Sequence, residues 1–287
     1  MQALRFLKLV FLLLPLSLVQ LPGLVLGGST LGVWTVGAWT LGLWTVATST
    51  ATPARADVIE LRADHWCPFN CAPGSAYPGF LVELTREALS PFGHELRYAN
   101  LSWSRSIAMV QSGAINGIIG TDPDEVTDLI FSIPLGQYQE AMAFRRGEAR
   151  EITGLQDLEG LRLGGIQDYE YSAALNTYIA DYQTDPARVQ LLTGENGLRR
   201  NLRKLLAHRI DLVLEEYSVL RFAIKNALME DQIDIIRHQK PSVLHIGFSP
   251  ALESSHLYVR QLAEGIAQLR STGRYGEILA RYGLQDN

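Results

Sequence analysis

From Leu9 to Ala54 the chain carries no charged residue, whereas from Asp57 onward apolar and polar positions alternate in short blocks. Val58–Ala63 reads as a short apolar strand. Gly79–Ser90 places Phe80, Leu84 and Ala88 at helical spacing with Gly93 just beyond, a helix and its stop. Leu96–Leu101 is strand-like. Ser102–Ser112 is a helix with Trp103, Ile107 and Val110 on one face, a serine at its start and Gly113 at its end. Ile115–Gly120 completes a first β-α-β-α-β run. A second run begins with strand 161–166, followed by a helix carrying Leu175, Tyr178, Ile179 and Tyr182. Strand 189–192, a helix carrying Leu198, Leu202, Leu205 and Leu206, and strand 210–214 with Glu215 and Glu216 at its end come next. Strand 243–248 and two amphipathic helices, 255–271 and 274–282, close the chain. Such alternation implies an α/β fold with mostly parallel sheets covered by helices. Two similar units predict two lobes facing across a cleft, where small ligands bind.

Composition separates the two parts of the chain. Averaged over 287 residues it is 47% hydrophobic and 19% charged. Residues 1–56 hold a basic start (Arg5, Lys8), an apolar core and the small-x-small triplet Ala54-Arg55-Ala56, the layout of a secretory signal peptide. The leader is long and carries Trp-Thr at Trp34, Trp39 and Trp44. The rival reading, an uncleaved membrane anchor, is weakened by Pro15, Pro22 and several glycines. Either way the remainder is expected outside the cytoplasm, in the periplasm. Without Arg5, Lys8 and Arg55, 22 of the 25 basic residues face 30 acids, a net charge of −8. An acidic body with no basic cluster is not built to neutralise phosphates, so no nucleic-acid partner is expected. High, evenly spread apolar content excludes intrinsic disorder.

Cys67 and Cys71 are the only cysteines. In an oxidising compartment, this spacing in Trp-Cys-Pro-Phe-Asn-Cys favours a small disulfide loop. Two alternatives remain. With His65 they make only three metal-ligand candidates, and three intervening residues differ from the two of redox motifs. Neither a metal nor another cofactor is expected.

The order of residues resembles the periplasmic solute-binding proteins of polar amino-acid ABC importers, family 3. The likeness spans 57–287. It rests on Pro68-Phe69 after the first strand, Gly79-Phe80 opening a helix, Trp103 followed by Gln111-Ser112-Gly113, and Phe131-Ser132-x-Pro134. Further matches are Leu155-x-Asp157-Leu158-x-Gly160, His208-Arg209-Ile210-Asp211 (a His in the family's Gly place), Gly273-x-Tyr275-x-x-Ile278 and Arg281-Tyr282-Gly283. The resemblance implies two α/β lobes joined by crossovers near Met142 and His245. Lobe one would then comprise 57–142 and 244–287, and lobe two 143–243. It also implies a monomer that closes on a small-molecule ligand by hinge motion and hands it to a membrane ABC permease. By the same resemblance Phe69 and Trp103 line the lobe-one wall, Thr121 and Asp122 stand at a strand end, and Glu216 receives a ligand ammonium.

The physics of these residues is separate. Aromatic faces in a cleft attract cations, and a carboxylate at a strand end forms charge-assisted hydrogen bonds with them. Trp66, Tyr169 and Tyr171 join the candidate ligand-binding set on these grounds. Relatives carry Thr-Pro-Glu-Arg after the third strand, with the arginine clamping a ligand carboxylate; here Asp122-Pro123-Asp124-Glu125 puts Glu125 in that place. Lobe two offers Asp168-Tyr169 where relatives have Gly-Thr or Gly-Ser. The site therefore suits a cationic or neutral polar ligand, unless Arg105 supplies a clamp from elsewhere. A dehydratase is built on the same scaffold, and Glu125, Glu216 and His65 are the acid–base candidates of that alternative. No catalytic set is assigned. A sensor subunit is the third reading.

Overall fold

In the computed structural model, residues 56–193, 196–238 and 240–285 are described. The leader, apart from Ala56, lies outside the described residues. The first sheet contains β1 (Val58–Ala63), β2 (Glu95–Asn100), β3 (Gly117–Thr121), β4 (Ile130–Phe131), β5 (Gly136–Tyr138) and β11 (Ser242–Phe248). Its order is β2-β1-β3-β11-β4, with β5 also on β11; β1 runs parallel to β2 and β3, and β11 is antiparallel. The second sheet contains β6 (Glu140–Arg145), β7 (Leu163–Ile166), β8 (Val189–Leu192), β9 (Leu212–Glu216) and β10 (Ile233–Arg237), in the order β10-β6-β9-β7-β8. The expected two-lobed α/β architecture is present.

Among the described residues seven α-helices cover the sheets: α1 (Phe80–Leu89), α2 (Trp103–Gln111), α3 (Ala173–Tyr182), α4 (Gly197–Leu206), α5 (Tyr217–Asn226), α6 (Ser255–Ser271) and α7 (Arg274–Arg281). Strand side chains alternate between faces, which divides each lobe's core in two. In β6, Met142 and Phe144 join Leu163, Leu212 and Leu214 beneath α3, while Ala141 and Ala143 join Val213 beneath α4 and α5. In β3, Ile119 joins the core under α1, α6 and α7, and Ile118 the core under α2. Helices α1 and α6 pack so closely that a Cβ on Gly265 would lie 2.1 Å from the Ala88 carbonyl oxygen.

The chain leaves lobe one at Gln139, between β5 and β6, and returns between Arg237 and Ser242. Both crossings precede the expected points. Met142 already pairs with Leu214 and Ile236 in the second sheet, and His245 pairs with Thr121 in the first. Only Gln139 separates β5 from β6 at the first crossing, so periodicity carries no mark of the change of sheet there. Strands β6 and β10 and helix α5 were also absent from the periodicity reading. His208, standing in the family's glycine place, has the left-handed φ of 54° that glycine adopts without strain. Asp211 just beyond accepts from Arg162 Nε at 2.8 Å and Arg145 Nη2 at 3.1 Å, fixing the start of β9.

Candidate functional site

The site begins at the carboxyl end of β1, where parallel strands of α/β sheets present ligand-binding groups. There Asp64 leads into a tight turn in which Trp66 N–H donates to the Asn70 carbonyl at 2.7 Å. Cys67 and Cys71 are disulfide-bonded across this turn, the favoured of the sequence readings. The turn sets Trp66 face to face with Phe69, ring centroids 4.4 Å apart, and against Tyr138 at 6.1 Å. Phe69 is only 1% exposed and lies beneath Trp66 in the core. The expectation that it forms the ligand wall is therefore corrected: stacking puts Trp66 over it.

Between the lobes lies a cavity of about 510 Å³. Of the expected residues, Trp66, Trp103, Asp122, Glu125, Tyr169 and Tyr171 line it. Thr121 does not; it is fully buried, and its hydroxyl donates to Glu125 Oε2 at 3.4 Å. Glu216 is also corrected. Successive strand residues point to opposite faces, so only one of the Glu215-Glu216 pair reaches the cavity, and it is Glu215. Glu216 caps α5 instead, accepting from Val219 N–H at 2.8 Å. Arg105 is exposed and is not among the lining residues. The sequence reading missed Asp64, Tyr138, Glu140, Ser172, Asn176 and Lys240. The position of Asp64 directly after a strand was a usable signal; Tyr138, Glu140 and Lys240 arrive from the two crossings, which periodicity did not locate.

Among the described residues seven carboxylates line this cavity: Asp64, Asp122, Asp124, Glu125, Glu140, Glu170 and Glu215. Lys240 is the single cation among the described lining residues. Glu125 occupies the turn Asp122-Pro123-Asp124-Glu125, in which Asp122 Oδ1 accepts from the amides of Asp124 (2.8 Å) and Glu125 (3.0 Å). Trp103 Nε1 donates to Glu125 Oε1 at 2.6 Å. Burial nevertheless pushes the Glu125 carboxyl up to about 7, and the charge of Asp122 adds to the rise. Burial also lifts Glu215 to about 7, against hydrogen bonds from Trp66 and the Glu216 amide. Asp64 is raised by burial, opposed by its bond from Tyr169.

Hydrogen bonds join the lobes across the cleft. Trp66 Nε1 donates to Glu215 Oε1 at 3.0 Å, the Tyr169 hydroxyl donates to Asp64 Oδ2, and Ser104 Oγ donates to Asp168 Oδ2 at 2.9 Å. Beyond them lies a second cavity of about 550 Å³ that shares Asp64, Trp66, Trp103, Tyr169 and Glu215 with the first and also takes in His65 and Arg199. The arrangement is two lobes in contact across a cleft with acids and aromatic planes at its centre.

The model for bacterial extracellular solute-binding proteins, family 3, matches residues 59–285. The chain belongs to that family. No curated protein matches it. Among solved structures, one concerning glutathione import through GshT and the cystine ABC importer TcyBC of Streptococcus mutans superposes with a TM-score of 0.66. Its identity is 14%, over 80% of this chain and 97% of that one. A histidine kinase sensor domain with similarity to periplasmic binding proteins gives 0.64 at 21% identity, covering 82% and 99%. The arginine-, lysine-, histidine-binding protein ArtJ of Geobacillus stearothermophilus gives 0.60 at 17%, covering 81% and 97%. At these identities the likeness is one of fold. No helix among the described residues is long and apolar enough to cross a membrane.

Proposed function

We propose that this family 3 protein is an extracytoplasmic receptor that captures a small cationic or neutral polar solute between its lobes and delivers it to an ABC importer. The observation that carries the reading is the cavity wall of seven carboxylates and one lysine, interleaved with Trp66, Trp103, Tyr138 and Tyr169. A cation entering it gains ion pairing in a partly dry site and the faces of the aromatic rings. An anion meets uncompensated like charge, and burying a charge without a partner is costly. The interlobe bonds of Trp66 and Tyr169 fit hinge closure, in which a ligand favours the closed state by touching both lobes. Release without chemistry is the expected outcome, with the protein a monomer. The sensor reading is supported by the likeness to a histidine kinase sensor domain; it uses the same cleft and differs in the partner that reads closure.

Native mass spectrometry of protein purified from cells expressing the full chain tests the proposal. The expected result is a bound solute of positive or zero net charge that chromatography recovers unchanged. An anionic solute, or a dehydrated or hydrolysed product, overturns it.

A further inference from the structure

Glu140 opens β6 at the first crossing, is 2% exposed, and shares the wall of the 510 Å³ cavity with Ser172 and Ala173. Those two residues are the start of α3, the end of a helix that carries unpaired amides and partial positive charge and so draws anions. That place is already taken. Ser172 N–H donates to Glu140 Oε2 at 2.9 Å and the Ser172 hydroxyl donates to Oε1 at 3.2 Å, while His238 Nε2 lies 3.6 Å from Oε1. Across the cavity the acid turn at 122–125 faces the same space from the other lobe, and Lys240 is exposed at the second crossing. The protein's own carboxylate thus occupies the amide and hydroxyl that would otherwise receive a solute carboxylate.

Resting on the receptor reading above, we infer that Glu140 is a specificity-determining residue, a built-in anion that excludes solutes bearing an α-carboxylate and restricts the cleft to amines or guanidines that lack one. A carboxylate arriving beside α3 has to displace Glu140 from two hydrogen bonds or remain unpaired next to it, and either outcome weakens binding. An amine or guanidine lacking the carboxylate avoids this conflict and keeps its attraction to Glu125 and Glu215.

Matched pairs differing only in the carboxylate isolate the effect: agmatine with arginine, cadaverine with lysine, histamine with histidine. Calorimetric titration of the full-chain protein is expected to show at least one amine bound ten-fold or more tightly than its amino acid. Glu140→Ala, which empties the place beside Ser172, is expected to reduce that preference at least ten-fold through tighter binding of the amino acid. Glu140→Gln keeps shape and acceptor oxygen while removing charge, so it should move the preference the same way by less, and it carries the test if the alanine variant does not fold. Wild-type protein in which no amine binds ten-fold more tightly than its matching amino acid overturns this inference and leaves the receptor reading standing. A preference unchanged in the folded variants overturns it too, as does the absence of binding by all six probes; in that last case the co-purified solute decides the receptor reading separately.

Discussion

Glu215 couples the lobes through a carboxyl that burial holds well above its ordinary range, so replacing it by glutamine should stabilise the ligand-free protein at the expense of binding. The side chain is 2% exposed and accepts from Trp66 Nε1 at 3.0 Å and from the Glu216 amide at 2.9 Å. Glutamine keeps an acceptor oxygen for both donors. The carboxyl rises from about 4.5 to about 7, chiefly by burial, with the charge of Asp64 adding. At about 1.4 kcal/mol per pH unit, that rise corresponds to about 3 kcal/mol. Below about pH 4.5 the group is protonated folded and unfolded, and it costs nothing. As pH climbs towards 7 the unfolded chain ionises freely while the folded protein holds the proton, so stability falls; above about 7 the full cost is present. Glu215→Gln has no such component. Its melting temperature should match wild type near pH 4.5 and exceed it by roughly 6–12 °C at pH 8, given 2–4 °C per kcal/mol for a chain of this size. Thermal denaturation by circular dichroism from pH 4.5 to 8.5 measures the gap; most other titrating groups cancel in the difference, while the costs of Glu216, raised in part by the Glu215 charge, and of Asp64 fall with that charge and widen the gap in the same direction. A gap that stays constant with pH, or that closes as pH rises, refutes the assignment of a strained buried carboxylate at the lobe junction.

Two further outcomes test the frame around the site. Gly265→Ala should lower stability by about 1–3 kcal/mol, since its Cβ would meet the Ala88 carbonyl oxygen at 2.1 Å and helices α1 and α6 would have to separate; chemical denaturation of wild type and variant measures it, and a loss under about 0.5 kcal/mol contradicts the close approach. Replacing Cys67 and Cys71 together by serine should cost about 2 kcal/mol, modest because the closed loop is short, and should weaken ligand binding through Trp66; unchanged melting and affinity would mean that the bridge does not hold the turn.

The residues themselves determined a good deal. Hydrophobic period alone separates strands from helices wherever one face is buried and the other wet, which is why α1, α2, β3, β7 and α6 stand close to where the apolar spacing puts them. The acid at position 125, in place of a clamp arginine, was plain in the sequence, because charge is a property of the residue and needs no fold to be recognised. Direction is different. Glu215 and Glu216 are chemically identical neighbours, and only the pleat of β9 and the start of α5 decide that one faces the cleft while the other caps a helix. Phe69 and Trp66 are both aromatic, and only the turn closed by the disulfide decides which ring covers the other. Asp64, Tyr138, Glu140 and Lys240 come from three separate stretches, two of them crossings without a periodic signature, and converge only where the two lobes meet. Local sequence fixes what a side chain is and how its own element forms; which side chains share one dry space is a long-range packing outcome, decided by how the sheets pair and how the lobes meet.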